Sequence, residues 1–122
     1  MAIEGGTNIA MKVPASDFES VVTSYRDLGL PVHHESDDMV SFQYGPVQLH
    51  IDRCDHFSQA EVWLELITDD LHAATETTVA AGFTRCDEIE DLGSYEGFWV
   101  KNPASVVHLM SAKKTTQPPS AS

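Results

Sequence analysis

An internal repeat constrains this chain more than any other feature of its sequence. Asn8 to Val13 and Glu61 to Leu66 both alternate as strands, with Ile9, Met11 and Val13 in one answering Val62, Leu64 and Leu66 in the other. A helical stretch follows each strand. In the first, Ser16 and Glu19 form a Ser-x-x-Glu capping signature, and Phe18, Val21, Val22, Tyr25 and Leu28 recur at helical spacing. Gly29 then supplies the left-handed stop. In the second, Asp69 or Asp70 is the cap, Leu71, Ala74, Thr78 and Ala81 share one face, and Gly82 is the stop. Gly29 and Gly82 stand 53 residues apart, and that offset aligns both strands and both helices without a gap.

Past the helices, each half continues with three extended segments: Val32 to Glu35, Met39 to Tyr44 and Val47 to Asp52 in the first, Thr84 to Ile89, Tyr95 to Lys101 and Val106 to Met110 in the second. Aligning the turn Tyr44-Gly45-Pro46 with Asn102-Pro103-Ala104 moves the offset to 58, after a longer loop around Asp91 to Ser94, and sets His50 on His108. The pattern is strand, helix, three strands, twice over. This is an α+β chain of two tandem βαβββ modules, about 7–53 and 60–111, inside a single domain, 1–112. A twisted sheet with one helix leaves a face wet, so the two units bury each other's surfaces. The polar, Pro- and Ser-rich stretch 113–122 is expected to be an unpacked tail.

Charge narrows the partners. Lys and Arg number 7 against 19 Asp and Glu, a net charge of −12. That field repels phosphate backbones and anionic lipid, so neither nucleic acid nor a membrane surface is an expected partner, and cationic molecules are favoured. No apolar run approaches the roughly 20 residues of a spanning helix, and the first residues lack a basic and apolar leader pattern, so a cytoplasmic location is expected. Cys54 and Cys86 form no C-x-x-C and are expected to be free thiols. No Gly-rich phosphate loop, G-x-S-x-G or H-E-x-x-H is present, which excludes the common nucleotide-hydrolase, serine-hydrolase and zinc-peptidase signatures.

Taken in order, Asn8-Ile9-Ala10-Met11-Lys12-Val13 with Asp17-Phe18 and Gly29, Trp63-Leu64-Glu65-Leu66 with Asp70-Leu71-His72-Ala73-Ala74 and Gly82, and Asn102-Pro103 leading into Val107-His108-Leu109 resemble the vicinal-oxygen-chelate superfamily. That superfamily includes glyoxalase I, extradiol dioxygenases, and fosfomycin- and bleomycin-resistance proteins. The resemblance covers about Thr7 to Ser111 and implies a half-open barrel around a shared cavity. It also implies that metal-dependent members draw ligands from inward positions on the first and last strands of each module. By position these are Asn8, Glu61, His50 and His108.

Alternation points the same way, since Asn8 and Glu61 lie opposite the aliphatics of their strands, and His50 and His108 alternate with theirs. By the same rule Trp63 and Glu65 join Glu61, Gln48 and Asp52 join His50, and Met110 joins His108. Tyr44, Phe98 and Trp99 are left open. His50, Glu61 and His108 are chemically able to hold Zn²⁺, Ni²⁺, Fe²⁺ or Mn²⁺. The other possibility is that these groups satisfy one another or a ligand without an ion, as in the metal-free members. Asn8 stands where metal-dependent relatives usually carry His or Glu, so no cofactor is favoured. The expected function is sequestration of a small cationic or aromatic molecule, resembling the bleomycin-resistance branch, in a homodimer. The alternative is a metal-dependent glyoxalase- or dioxygenase-type enzyme using His50, Glu61 and His108.

Overall fold

A computed structural model describes residues 1–113. The tail expected from 113 onward lies, past Lys113, outside the described residues. The elements run β1 (Ile3–Gly5), β2 (Asn8–Pro14), α1 (Phe18–Asp27), β3 (Val32–Glu35), β4 (Met39–Tyr44), β5 (Val47–Cys54), β6 (Glu61–Thr68), α2 (Leu71–Ala80), β7 (Thr84–Arg85), β8 (Gly97–Lys101) and β9 (Val107–Ala112). The strand–helix–three-strand order therefore occurs twice, preceded by the short β1, for which alternation gave no sign.

One mixed, open sheet contains all nine strands in the order β3-β4-β5-β2-β6-β9-β8-β7, with β1 on β6. Within each module the first and last strands pair in parallel, β2 with β5 and β6 with β9. The modules join where β2 meets β6 antiparallel, Ala10 opposite Trp63 and Lys12 opposite Glu61. Register sorts the side chains. Val13, Val40, Phe42, Leu49 and Ile51 pack with Phe18 and Val22 of α1, and Phe98, Val100 and Met110 pack with Ala74 of α2. The opposite face of the same sheet curves round a cavity.

The two helices begin differently. Asp70 is extended and its carboxylate accepts from Ala73 N–H at 3.0 Å, a regular N-cap. The capping box expected at Ser16 and Glu19 does not form. Pro14, with an extended backbone but no side-chain acceptor, takes the cap position of a 3-10 turn over Ala15–Asp17 that runs straight into α1, and Asp17 is already in the helical region, so Ser16 lies inside the turn and not at its cap. Both stops behave as expected, with φ of 86° at Gly29 and 98° at Gly82.

Candidate functional site

The inward face of β2 presents Asn8, Ala10 and Lys12, and with β4, β5, β6, β8 and β9 it encloses a cavity of about 460 Å³. Its floor is apolar: Ala10, Met39, Trp63, Trp99 and Leu109, closed on one side by Leu92 and Tyr95 from the loop before β8. Ala10 lies in register between His50 on β5 and Trp63 on β6, and its single methyl leaves the hollow. The Trp63 and Trp99 rings meet edge to face with centroids 5.2 Å apart, a favourable quadrupole geometry, and both are nearly buried. Trp99 Nε1–H donates to Glu90 O at 2.9 Å, tying the loop to the floor.

Two polar groups of residues stand at opposite ends of this floor. At one end, Asn8 Nδ2 donates to Glu65 Oε1 at 3.2 Å, and Thr7 N–H donates to the same oxygen at 3.1 Å. A carboxylate only accepts, so the Asn8 carbonyl oxygen must face His50, whose Nε2–H donates to it at 2.8 Å. The other ring nitrogen, Nδ1, then accepts from Ser41 Oγ–H at 2.6 Å. Burial pushes the His50 pKa below its usual value, with Asp52 and Glu65 pulling the other way, and the neutral ring suits this pattern. The result is a directed chain, Ser41 to His50 to Asn8 to Glu65, that crosses from one module to the other. Gly6 makes it possible, since any Cβ there would overlap the Glu65 carboxylate.

At the other end stands Lys12, only 7% exposed. Its ammonium lies 2.9 Å from Asp52 Oδ2, 3.0 Å from Glu90 Oε2 and 4.5 Å from the centre of the Trp63 ring. The cation over Trp63, beside two carboxylates, is thus the protein's own. Sequence reasoning passed over Lys12, although the alternation that turned Asn8 inward turns Lys12 inward as well. Glu90, from the segment between β7 and β8, is its second partner.

Of the nine residues singled out by sequence, Asn8, His50, Asp52, Trp63 and Glu65 line the cavity together. Gln48 lies in the adjoining polar cleft with Thr7, Glu65 and Ser111. Glu61 shares the inward face but sits at the exposed start of β6, beside His56 and Phe57, where it accepts from Trp63 Nε1–H at 3.1 Å. Repeat positions such as Asn8 and Glu61 are sent to opposite ends by antiparallel pairing. Glu61 lies opposite Lys12, four residues of strand, about 13 Å, from the level of Asn8.

His108 and Met110 face the wrong way for the expected role. Met11 pairs with Ile51 and Leu64 with His108, so His108 is the counterpart of Ile51, 57 residues on, and not of His50. The β4–β5 hairpin turns in two residues, whereas β8 and β9 are joined by five, with Asn102 Oδ1 accepting from Ala104 and Val106 N–H. Aligning the two turns by composition thus misplaced the strand by one residue, and a one-residue slip reverses every side chain. His108 packs edge-on to Phe83 with Nδ1 against Val106 O, and Met110 is fully buried beneath α2. Leu109 takes the inward place. Trp99 is inward, Phe98 packs under α2, and Tyr44 is exposed.

The metal set His50, Glu61 and His108 therefore does not converge, and among the described residues no three His, Cys, Asp or Glu side chains are placed to hold an ion. Cys54 and Cys86 are free. Among the described residues, no helix is long and apolar enough to cross a membrane.

This architecture is the fold of the vicinal-oxygen-chelate, or glyoxalase/bleomycin resistance/dioxygenase, superfamily. No family model matches the chain, and no curated protein sequence does. Solved structures do. A glyoxalase/bleomycin resistance protein/dioxygenase superfamily member from Vibrio splendidus 12B01 superposes with a TM-score of 0.60 at 15% identity, covering 92% of this chain and 100% of its own. The Mn(II)-bound glyoxalase from Novosphingobium aromaticivorans gives 0.63 at 18% identity over 93% of this chain, and 2,2',3-trihydroxybiphenyl 1,2-dioxygenase from Sphingomonas wittichii RW1 gives 0.65 at 14% over 98%. The chain spans 42% of that glyoxalase and 44% of that dioxygenase.

Proposed function

We propose that the cavity binds a small cationic, aromatic molecule and holds it without transforming it. The observation that carries this is the composition of the walls: Trp63, Trp99, Leu92, Leu109 and Tyr95 with four carboxylates, Asp52, Glu65, Glu90 and Asp91, against one ammonium, Lys12. A unit charge about 4 Å from a carboxylate gains about 4 kcal/mol at an effective dielectric of about 20, before desolvation. Attraction to a ring face is worth about 0.5–2 kcal/mol. Carboxylates thus outweigh the indoles in selecting charge, and the Trp63 face is already taken by Lys12. Glu65 is the open acceptor. Its Oε2 has only long contacts, 3.4 Å to Asn8 Nδ2 and 3.5 Å to Ser111 Oγ.

The metal-dependent alternative has its support in the similar structures, one of them a Mn(II)-bound glyoxalase and another a dioxygenase. The divergence of Glu61 and His108 from His50 favours the binding role. A homodimer and a cytoplasmic setting are part of the proposal. Val62 and Leu64, 44% and 36% exposed on the strand where the modules join, suit contact with a second copy, and two free thiols suit a reducing compartment.

An isosteric series tests the ligand class. Tryptophan fluorescence titrations with benzamidine, benzamide and benzoate should rank binding in that order, and Glu65→Gln should abolish the preference for benzamidine. Equal or tighter binding of benzoate would refute the charge selection, and sedimentation of a monomer at micromolar concentration would refute the dimer.

A further inference from the structure

We propose that the Asn8 carboxamide holds the place of a cation between His50 and Glu65, so that this chain closes its central polar site without a metal. The inference starts from which lone pairs are free. A metal ligand must offer an unprotonated nitrogen or oxygen to the ion. His50 Nε2, the ring nitrogen nearest Glu65 through Asn8, carries the proton donated to Asn8 Oδ1, and Nδ1 is engaged by Ser41. The amide nitrogen of Asn8 donates to Glu65, at 3.2 Å from Oε1 and 3.4 Å from Oε2, and Glu65 Oε1 accepts a further bond from the Thr7 backbone.

The chain is consistent in one direction only. Reversing the amide would aim its carbonyl oxygen at the Glu65 carboxylate, and it would leave His50 Nε2–H facing an NH₂ group. Admitting an ion would require the ring to change tautomer, Ser41 to turn its hydroxyl, and the amide to leave its place. The first two changes only reverse the bond between Ser41 and His50, but the third leaves Glu65 without its side-chain donor in a half-buried site, where a lost partner is destabilising. The carboxamide supplies both needs of the gap, an acceptor for the imidazole and a donor for the carboxylate.

A substitution of nearly equal volume reverses the situation. Asn8→Asp replaces the NH₂ donors with an oxygen, which sets two carboxylates about a hydrogen-bond length apart beside an imidazole. That arrangement calls for a cation, and the three groups are a suitable set for one. Asn8→Ala removes the bridge and adds no donor. Both variants and the wild type, purified without chelator, are assayed by elemental analysis, calorimetric titration and thermal shift with Zn²⁺, Ni²⁺ and Mn²⁺ separately.

Wild type is expected to carry no stoichiometric ion and to show no rise in Tm. Asn8→Asp is expected to melt lower than wild type without metal, to recover with it, and to bind at least about tenfold more tightly than Asn8→Ala, since even supporting partners of a ligand change metal affinity by roughly 10–100-fold. In wild type, ¹⁵N spectra of His50 should show the neutral ring protonated at Nε2, unchanged by added ions, which is a readout independent of how the variants fold. The inference is overturned by one tightly held ion per wild-type chain that is lost in His50→Ala, by a wild-type tautomer switch on adding metal, or by metal affinity in Asn8→Asp no greater than in Asn8→Ala. None of these outcomes depends on which molecule fills the cavity, so a failed benzamidine series and a failed amide bridge are separate results.

Discussion

Lys12→Met removes the one ammonium that lines the cavity among the described residues and keeps most of its length. Stripping one partner from a buried ion pair costs about 3–5 kcal/mol, mostly because the remaining charge is stranded. Here the side chains left behind, Asp52 and Glu90, are 20% and 46% exposed, so water reclaims part of the loss and about 2–3 kcal/mol is expected. For a domain of this size that is a fall in Tm of about 10 °C. Hydrogen exchange should quicken in the loop Asp91 to Tyr95, which Glu90 anchors through Lys12.

The pH dependence follows from the ion pair. Burial works against the Lys12 charge, but the hydrogen bonds and charges of Asp52 and Glu90 outweigh it and raise the pKa above 10.5. A folded-state pKa above the unfolded value gives a stabilisation that is complete below pH 10.5 and is lost as pH rises through the folded value. The gap between wild type and Lys12→Met in urea denaturation should therefore be constant near neutrality and narrow toward pH 11. Neutralising all three groups, with Asp52→Asn and Glu90→Gln added, should restore most of the stability. The reasoning is refuted if Lys12→Met unfolds within about 0.5 kcal/mol of wild type, or if the triple variant is as unstable as the single one.

Three further outcomes are expected. His50 has a pKa below its unfolded value of 6.5, so the stability it contributes is present above pH 6.5 and is lost as pH falls through the folded value; urea midpoints between pH 7.5 and 5 should fall more steeply for wild type than for His50→Gln, and parallel slopes would count against a buried neutral ring. His108→Ala should cost about 2–3 kcal/mol through lost packing against Phe83 while leaving benzamidine binding within about twofold, because the ring packs on Phe83 and does not line the cavity; a loss of binding without a loss of stability would place it in the site after all. Gly6→Ala should cost about 1–3 kcal/mol by driving a methyl into Glu65, and should weaken ligand binding as well, measured by thermal shift and fluorescence on the same sample.

The sequence by itself determined the modules. Helical spacing, paired glycine stops and period-two alternation are local signals, and the duplication made each half corroborate the other, so the boundaries of β3 and β4 and the inward faces of β2, β5 and β6 were legible. Asn8, His50, Asp52, Trp63 and Glu65 came from that source. What alternation along a strand cannot report is which residue lies beside which across strands.

That depended on tertiary structure alone. Antiparallel pairing of β2 with β6 brought Glu65, not Glu61, beside Asn8, while parallel pairing of β2 with β5 set Lys12 beside Asp52 and the loop before β8 brought Glu90 to it. The five-residue turn before β9 decided that Leu109 and not His108 faces the cavity. A strand's side-chain period is two, so a turn one residue longer or shorter leaves its hydrophobic pattern nearly as plausible while it exchanges the contents of the site for those of the core. The fold is written in periodicities that survive such a shift, and the site is written in register, which only the packed sheet fixes.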